Sequence, residues 1–428
     1  MKNVLIITYY FPPMGGSGVQ RTLKFVKYLR QFGWEPIILT LKEFRSGYFA
    51  YDSKLSNELP KDIKIFRVYP SLGILIYFFF GEMFSFIGLK KLGEKLLSAI
   101  TIPDMEIFWI PLLLLKVRKL LKQKKIDLIY TSAPPQSLNV LGILLKKLYK
   151  VKWVADYRDP WTHNAFYNDK PDYKDKLNRY LELKAHNKAD LIIANTGGNR
   201  RKIINEFGVS PQTIHVLTNG YDEKDFEHIG KNSFDNDKFN IVYTGAFYHG
   251  YTPDAFLVAL SLLFSQKEYL KKEFNFHLAG ILEKKTEVDI LSKIGQMKLD
   301  HITIFYGNLP HSESVSLLTK ADLLLLILWS GKGSDSCIPA KIFEYLRSGK
   351  PILAIVPEKG ECAELIIRLK AGIVVEPDDV KGIQDAIYDC YELWKEHKLG
   401  IKMDWQEISN YERQHLTKKL AKLFESIS

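Results

Sequence analysis

Short apolar runs alternate with amphipathic helical stretches along almost the whole chain, and that alternation leaves few folds open. In the first half the runs are NVLIITY, EPIILT, IKIFRVY, DLIYTS, KWVADY, DLIIANT and IHVLTN; in the second they are FNIVYTG, FNFHLAG, ITIFYG, DLLLLIL, PILAIV and GIVVE. Between them the spacing predicts helices over 17–32, 110–123, 136–149, 173–187 and 197–206, then over 253–265, 286–296, 312–319, 340–348, 361–369 and 380–395. Strands joined through helices run parallel, and parallel sheets are covered on both faces. The expected class is therefore α/β, with doubly wound, Rossmann-like parallel sheets. At 428 residues the chain exceeds one ordinary core. The polar stretch GYDEKDFEHIGKNSFDNDKF breaks the alternation once, so we expect a first domain over 1–220, a linker over 221–238 and a second domain over 239–400. An amphipathic segment within 401–428 has no place in a completed second sheet and is expected to return to the first domain. Two such domains facing each other would form a central cleft, a usual setting for a small-molecule site.

The formal charge of +11 calls for an anionic partner, and basic residues cluster in the first half at 88–97, 116–125 and 144–152. Beside them runs LGILIYFFFGEMFSFIGL, residues 72–89, which is apolar and aromatic but interrupted by Glu82. Basic helices next to aromatics suit an anionic membrane surface; a solvated basic face over a core helix is the plainer reading. The basic runs form no nucleic-acid recognition motif, so no nucleic-acid partner is expected. Cys337, Cys362 and Cys390 lack paired metal spacing, which suits a reducing cytoplasm. The opening MKNVLIITYYFPPMGG reads as a strand of the fold rather than a leader. Asp235 and Asp237, although spaced as DxD, lie in a polar turn and read as a solvated connector, so no metal is expected.

Several turns carry chemistry. Gly15, Gly16 and Gly18 follow the first strand and precede a helix, where backbone N–H groups can approach a phosphate. In VADYRDPW, residues 154–161, Asp156, Arg158, Asp159 and Trp161 crowd a strand's carboxyl end, where the charges either pair with each other or face a ligand. Thr244, Gly245 and His249 occupy the turn after the first strand of the second half, and Ser312 is a candidate helix cap with His311 beside it. Lys341 and Glu344 lie three residues apart near a helix start, so they form either an exposed ion pair or a diphosphate-and-ribose pair.

In order along the chain, FPPMGGSG, ADYRDPW, TNGYD, IVYTGAFY, IPAKIFEYLRSGKPILAI and AGIVVEPDD resemble the GT-B glycosyltransferases of glycosyltransferase family 4, particularly bacterial surface-polysaccharide enzymes. The resemblance spans essentially the whole chain. It implies a retaining, metal-independent hexosyltransferase whose co-substrate is a nucleotide-sugar donor held by the second domain. The acceptor, a glycan or a polyprenyl-diphosphate-linked oligosaccharide, would lie on the first. Glu344 matches the second glutamate of the family's E-x7-E signature, expected on the donor ribose, while Ser336 stands where the first would be. The family's Arg and Lys pair after YTG is replaced by AFYHGY. The implied catalytic group is Arg158, Lys341 and Asp156; the implied donor contacts are Glu344, Gly15, Gly16, Thr244, Gly245, His249, Asp335, Ser336, Ile338, Pro339 and Ala340. Asp159 and Trp161 are assigned to the acceptor side. The location implied is cytoplasmic, with peripheral attachment to the inner membrane face as a further expectation. A GT-B sugar-nucleotide epimerase and a non-catalytic nucleotide- or glycan-binding protein are the alternatives.

Overall fold

The computed structural model describes residues 1–42, 51–69, 101–164, 172–227, 229, 233–234, 237–247, 251–280 and 284–428. The aromatic run 72–89, the basic run 88–97, Asp235 and His249 lie outside the described residues. The chain forms two compact units, one of Met1–Thr218 with Leu416–Ser428 and one of Asn219–His415.

The first unit is built on a seven-stranded sheet. Its strands are β1 (Lys2–Thr8), β2 (Trp34–Leu41), β3 (Lys64–Val68), β4 (Leu128–Ala133), β5 (Trp153–Tyr157), β6 (Leu191–Ala194) and β7 (Ile214–Val216). All pair in parallel in the order β3-β2-β1-β4-β5-β6-β7. The central strands are apolar on both faces because helices cover both. One face packs Trp109, Leu113, Val117, Leu141 and Trp153; the other packs Phe25, Trp34 and Tyr130 against Leu416, Leu420 and Phe424. The described helices of this unit are α1 (Ser17–Tyr28), α2 (Ile110–Gln123), α3 (Ser137–Tyr149), α4 (Asp172–Lys188) and α5 (Gly197–Phe207). Gly142 lets α3 lie directly on Trp153, since a Cβ there would stand 2.1 Å from the indole.

The second unit has a six-stranded sheet in the order β10-β9-β8-β11-β12-β13. It comprises β8 (Phe239–Thr244), β9 (Phe274–Ala279), β10 (Thr303–Gly307), β11 (Leu323–Ile327), β12 (Ile352–Ile355) and β13 (Gly372–Val375). All its neighbours are again parallel. Its helices are α6 (Asp254–Gln266), α7 (Lys284–Gln296), α8 (His311–Lys320), α9 (Lys341–Ser348), α10 (Glu361–Arg368), α11 (Val380–Lys395) and α12 (Trp405–Ile408). Helix α13 (Arg413–Glu425) begins in this unit and runs into the first. Both sheets match the doubly wound expectation. Two details differ from it. Helix α8 starts one residue before Ser312, after Pro310, with no side-chain cap; the missing N–H of proline suits a helix start. The segment 404–427 is split by a 3-10 turn at Ser409–Tyr411. The stretch expected as a linker contributes backbone bonds to the second unit: Tyr221 N–H donates to Tyr411 at 3.2 Å, and Arg413 N–H donates to Tyr221 at 2.7 Å.

A buried ion pair ties α1 to the sheet of the first unit. Arg21 and Asp156 are both 0% exposed. Arg21 Nη2 reaches Asp156 Oδ1 at 2.8 Å and Nε reaches Oδ2 at 3.0 Å. Tyr130 and Ser132 donate to the same carboxylate at 2.6 and 3.0 Å. The remaining guanidinium hydrogens serve the carbonyls of Leu217 and Thr218 at 2.8 and 2.7 Å. Burial alone would loosen the Arg21 proton, but Asp156 more than offsets it and the pKa is raised. Removing one partner of such a pair strands the other charge in the core. Asp156→Ala is therefore expected to destabilise the first unit by about 3–5 kcal/mol in denaturant unfolding. The double variant Arg21→Met/Asp156→Leu should cost clearly less than the sum of the two single changes.

Candidate functional site

In each sheet the winding reverses between two central strands, β1 and β4 in the first unit and β8 and β11 in the second. Ligands of open parallel sheets lie beyond the carboxyl ends of the strands at such a reversal.

In the second unit two glycines line that rim among the described residues. Gly245 follows β8 at φ 140°, and Gly280 follows β9 at φ 154°. A Cβ on Gly280 would fall 1.7 Å from the Gly245 carbonyl oxygen, and one on Gly245 would fall 2.2 Å from Lys341 Nζ. The loop after β11 passes through the turn Ser334–Ser336 and delivers α9 to the same rim. Tyr345, fully buried, pins that helix: its hydroxyl accepts from Thr244 N–H at 3.0 Å and donates to the Leu325 carbonyl at 3.3 Å.

Lys341 Nζ donates to the Tyr243 hydroxyl at 2.6 Å and lies 4.0 Å from that ring's centroid. Its hydrogen-bond partner is a phenol rather than a carboxylate, and desolvation, opposed only in part by the nearby Cys337, pulls its pKa down to about 7. Glu344 Oε1 instead meets His311 Nε2 at 2.8 Å. The two head groups of α9 thus take different partners, and the intrahelical ion pair does not form. Thr244 and Ser336 are buried, Asp335 is exposed, and Ile338, Pro339 and Ala340 are partly exposed on the approach to α9.

In the first unit Gly15 and Gly16 follow β1, with Gly16 at φ 93° leading into α1. Arg158 is 6% exposed and pairs with neither aspartate. It donates to the main-chain carbonyls of Gly18, Ala133 and Pro134, and its guanidinium carbon lies 5.2 Å from the Tyr10 ring centroid. Its place is that of a clamp on the glycine loop, not of an exposed cation. Asp156, expected among the catalytic groups, is sealed in the Arg21 network, because the pull of that guanidinium outweighs any exposed position. Trp161, expected to face an acceptor, is 2% exposed, with its indole N–H on Asn178 Oδ1 at 3.0 Å. Asp159 is exposed at the carboxyl end of β5. Sequence reasoning missed Arg21 and Tyr243 and gave His311, the partner of Glu344, no role, because no local pattern announces these contacts.

The depressed Lys341 pKa sets a direction for stability. Between pH 7 and the ordinary lysine value of 10.5 the unfolded chain keeps this proton while the folded chain has released it, so stability rises with pH across that window. Relative to wild type, Lys341→Met is expected to flatten the rise in melts run from pH 7 to 10. Gly245→Ala should lower stability by about 1–3 kcal/mol through backbone strain and displace the Lys341 ammonium, detectable as an altered pH dependence in the same melts.

The family model "Glycosyltransferase Family 4" matches residues 16–225, and "Glycosyl transferases group 1" matches residues 224–402. A Campylobacter jejuni enzyme, N-acetylgalactosamine-N,N'-diacetylbacillosaminyl-diphospho-undecaprenol 4-alpha-N-acetylgalactosaminyltransferase, is 27% identical over 143 residues, 32% of this chain and 37% of that enzyme. The match spans little more than a third of that relative's length. Among solved structures, Anabaena HepE in complex with UDP is similar over 100% of both chains at TM-score 0.66 and 16% identity. WaaG, a glycosyltransferase involved in lipopolysaccharide biosynthesis, is similar over 98% of this chain and 99% of its own at TM-score 0.63 and 13% identity. With both sheets parallel and doubly wound and the two matched models together spanning residues 16–402, the chain belongs to the GT-B glycosyltransferases of family 4.

Proposed function

We propose that this glycosyltransferase moves a sugar, with retention of anomeric configuration and without an essential metal, from a nucleotide-sugar donor on the second unit to a glycan or polyprenyl-diphosphate-linked acceptor on the first. The product belongs to surface polysaccharide. The observation that carries the reading is the divergence of Lys341 and Glu344 at the β8/β11 reversal, one head group on Tyr243 and the other on His311. An ammonium with no carboxylate partner is suited to a diphosphate, and a partly exposed carboxylate on the same helix is suited to ribose hydroxyls.

In the reaction the bond from the anomeric carbon to the donor phosphate oxygen breaks and a bond to the acceptor oxygen forms on the same face. The acceptor hydroxyl's proton passes to the departing phosphate. Lys341 holds its proton more tightly beside that growing negative charge and so stabilises the transition state more than the ground state. Arg158 shapes the glycine loop through its carbonyl contacts, and Asp159 is the exposed carboxylate left for the acceptor side. HepE in complex with UDP and the Campylobacter enzyme's diphospho-undecaprenol acceptor support donor and acceptor classes of this kind.

Among the described residues no helix is long and apolar enough to cross a membrane. We place the protein in the cytoplasm, peripherally on an anionic membrane face. Helices α2, α3 and α4 pack side by side. They expose Leu115, Leu148, Tyr173 and Tyr180 among Arg118, Lys119, Lys122, Lys147 and Lys176, the mixture that suits anionic headgroups.

A thermal-shift series with UDP-, GDP-, ADP- and TDP-sugars tests the donor reading. One nucleotide is expected to stabilise the wild type by about 2.7 kcal/mol at a hundredfold excess over Kd and to stabilise Glu344→Ala far less. Turnover with that donor then separates the classes: sugar transferred to an added acceptor supports the transferase, interconversion of the free donor means an epimerase, and binding alone means a non-catalytic protein. Sedimentation with phosphatidylglycerol vesicles should be lost at high salt; a protein that stays in the supernatant at low salt overturns the membrane assignment.

A further inference from the structure

We propose that His311 is a positioning residue for the donor ribose, acting by holding the Glu344 carboxylate in one orientation. The inference rests on the reading of Glu344 as the ribose contact and goes beyond it by naming what fixes that contact.

Helices α8 and α9 are neighbours. His311 opens α8 directly after Pro310, so its ring leaves from the helix end nearest the sheet's carboxyl rim. Its Nε2 stands 2.8 Å from Glu344 Oε1, while Nδ1 stands 3.9 Å from Asp225 Oδ2. With Glu344 ionised, Nε2 must be the nitrogen that carries a proton and donates it. The Asp225 contact is too long for a hydrogen bond and acts only through charge. Asp225 is itself held in a short turn. Asp222 accepts from Lys224 N–H at 3.2 Å, Asp225 N–H donates to the Asp222 carbonyl at 3.0 Å, and Glu223 in the same turn is paired with Arg347 of α9. The turn that carries Asp225 is thereby tied to α9, the helix that carries Glu344, while the imidazole is carried at the start of α8.

Glu344 is 21% exposed, and a ligand that needs one rotamer of a partly exposed glutamate bears whatever ordering cost its neighbours have not already met. One hydrogen bond from an imidazole fixes the carboxylate plane without exhausting its acceptor capacity, which is about four lone-pair sites. Two vicinal hydroxyls can then be met by a carboxylate already in place. The role is specific to the ribose, so it must show itself as a dependence on ribose hydroxyls and not merely as lost affinity.

Calorimetric titration of the full chain with UDP and with 2′-deoxy-UDP, at one pH, provides the test. The wild type is expected to prefer UDP, and Glu344→Ala to bind the two alike. His311→Ala should weaken UDP by about tenfold, the worth of a hydrogen bond to a charged group, while leaving 2′-deoxy-UDP nearly unchanged. His311→Gln, whose amide can donate to the same carboxylate, should bind UDP within about threefold of wild type and covers the case in which the alanine variant folds poorly. In the double variant with Glu344→Ala, the His311 substitution should have no further effect. A His311→Ala protein that keeps the wild-type ratio of the two affinities overturns the proposal, as does a glutamine variant no better than alanine. If Glu344→Ala itself keeps the wild-type ratio, the ribose reading of Glu344 fails, a different result from failure at His311. Absence of binding by UDP, and by GDP and ADP run in the same way, overturns both.

Discussion

The pairing of Arg21 with Asp156 is the contact on which the first unit turns. An aspartate at the carboxyl end of a central parallel strand is surrounded by apolar side chains and cannot stay ionised there alone. Arg21 answers it from the first helix, and its remaining hydrogens reach the carbonyls of Leu217 and Thr218, the last residues of this unit before the chain enters the second. Three distant stretches are thereby set in register. The glycine loop stands at the head of the same helix, and the loop bearing Asp159 follows the same strand, so their relative positions derive from this pair. Arg158, beside Asp159, then closes the arrangement by donating to the carbonyls of Gly18 at the head of α1 and of Ala133 and Pro134 at the end of β4.

In the second unit a neutral hydroxyl ties the helix at the rim to the sheet. Tyr345 ties the ends of β8 and β11 through a hydroxyl, which can donate and accept at once and has a smaller desolvation cost than an ion pair. Lys341 and Glu344 stand at the rim beside it. There Lys341 is left with a phenol for a partner, and burial lowers its proton affinity. Glu344 is treated in the opposite way, with a specific donor beside it.

Much of this could be read from the sequence, and the part that could not has a common cause. The strands and helices were legible because buried parallel strands are apolar throughout and their covering helices show a regular stripe. Glu344 and Lys341 stood out because they lie close together in a short segment that resembles a known signature, but that they take different partners was not to be read there. The misplacements of Asp156 and Trp161 arose where a polar or aromatic residue at a strand end was taken as facing outward. Whether Asp156 faces a ligand or the core depends on Arg21, which lies 135 residues away, and Trp161 depends on Asn178 in the next helix. His311 was passed over for the same reason: a histidine in a turn carries no mark of the carboxylate that folding brings beside it.

The return of Leu416–Ser428 to the first unit has a consequence for how the protein is made. Leu416, Leu420 and Phe424 complete the face formed by Phe25, Trp34 and Tyr130, with Phe424 meeting the Trp34 and Tyr130 rings edge-on at 5.2 and 5.9 Å. During synthesis everything between Asn219 and His415 emerges before those residues do. The unit that is translated first is therefore the one finished last, and until the ribosome delivers α13 it carries an uncovered aromatic surface. A chain interrupted shortly before Leu416 would hold a complete second unit and still lack the cover of the first, leaving that surface open to chaperones and proteases.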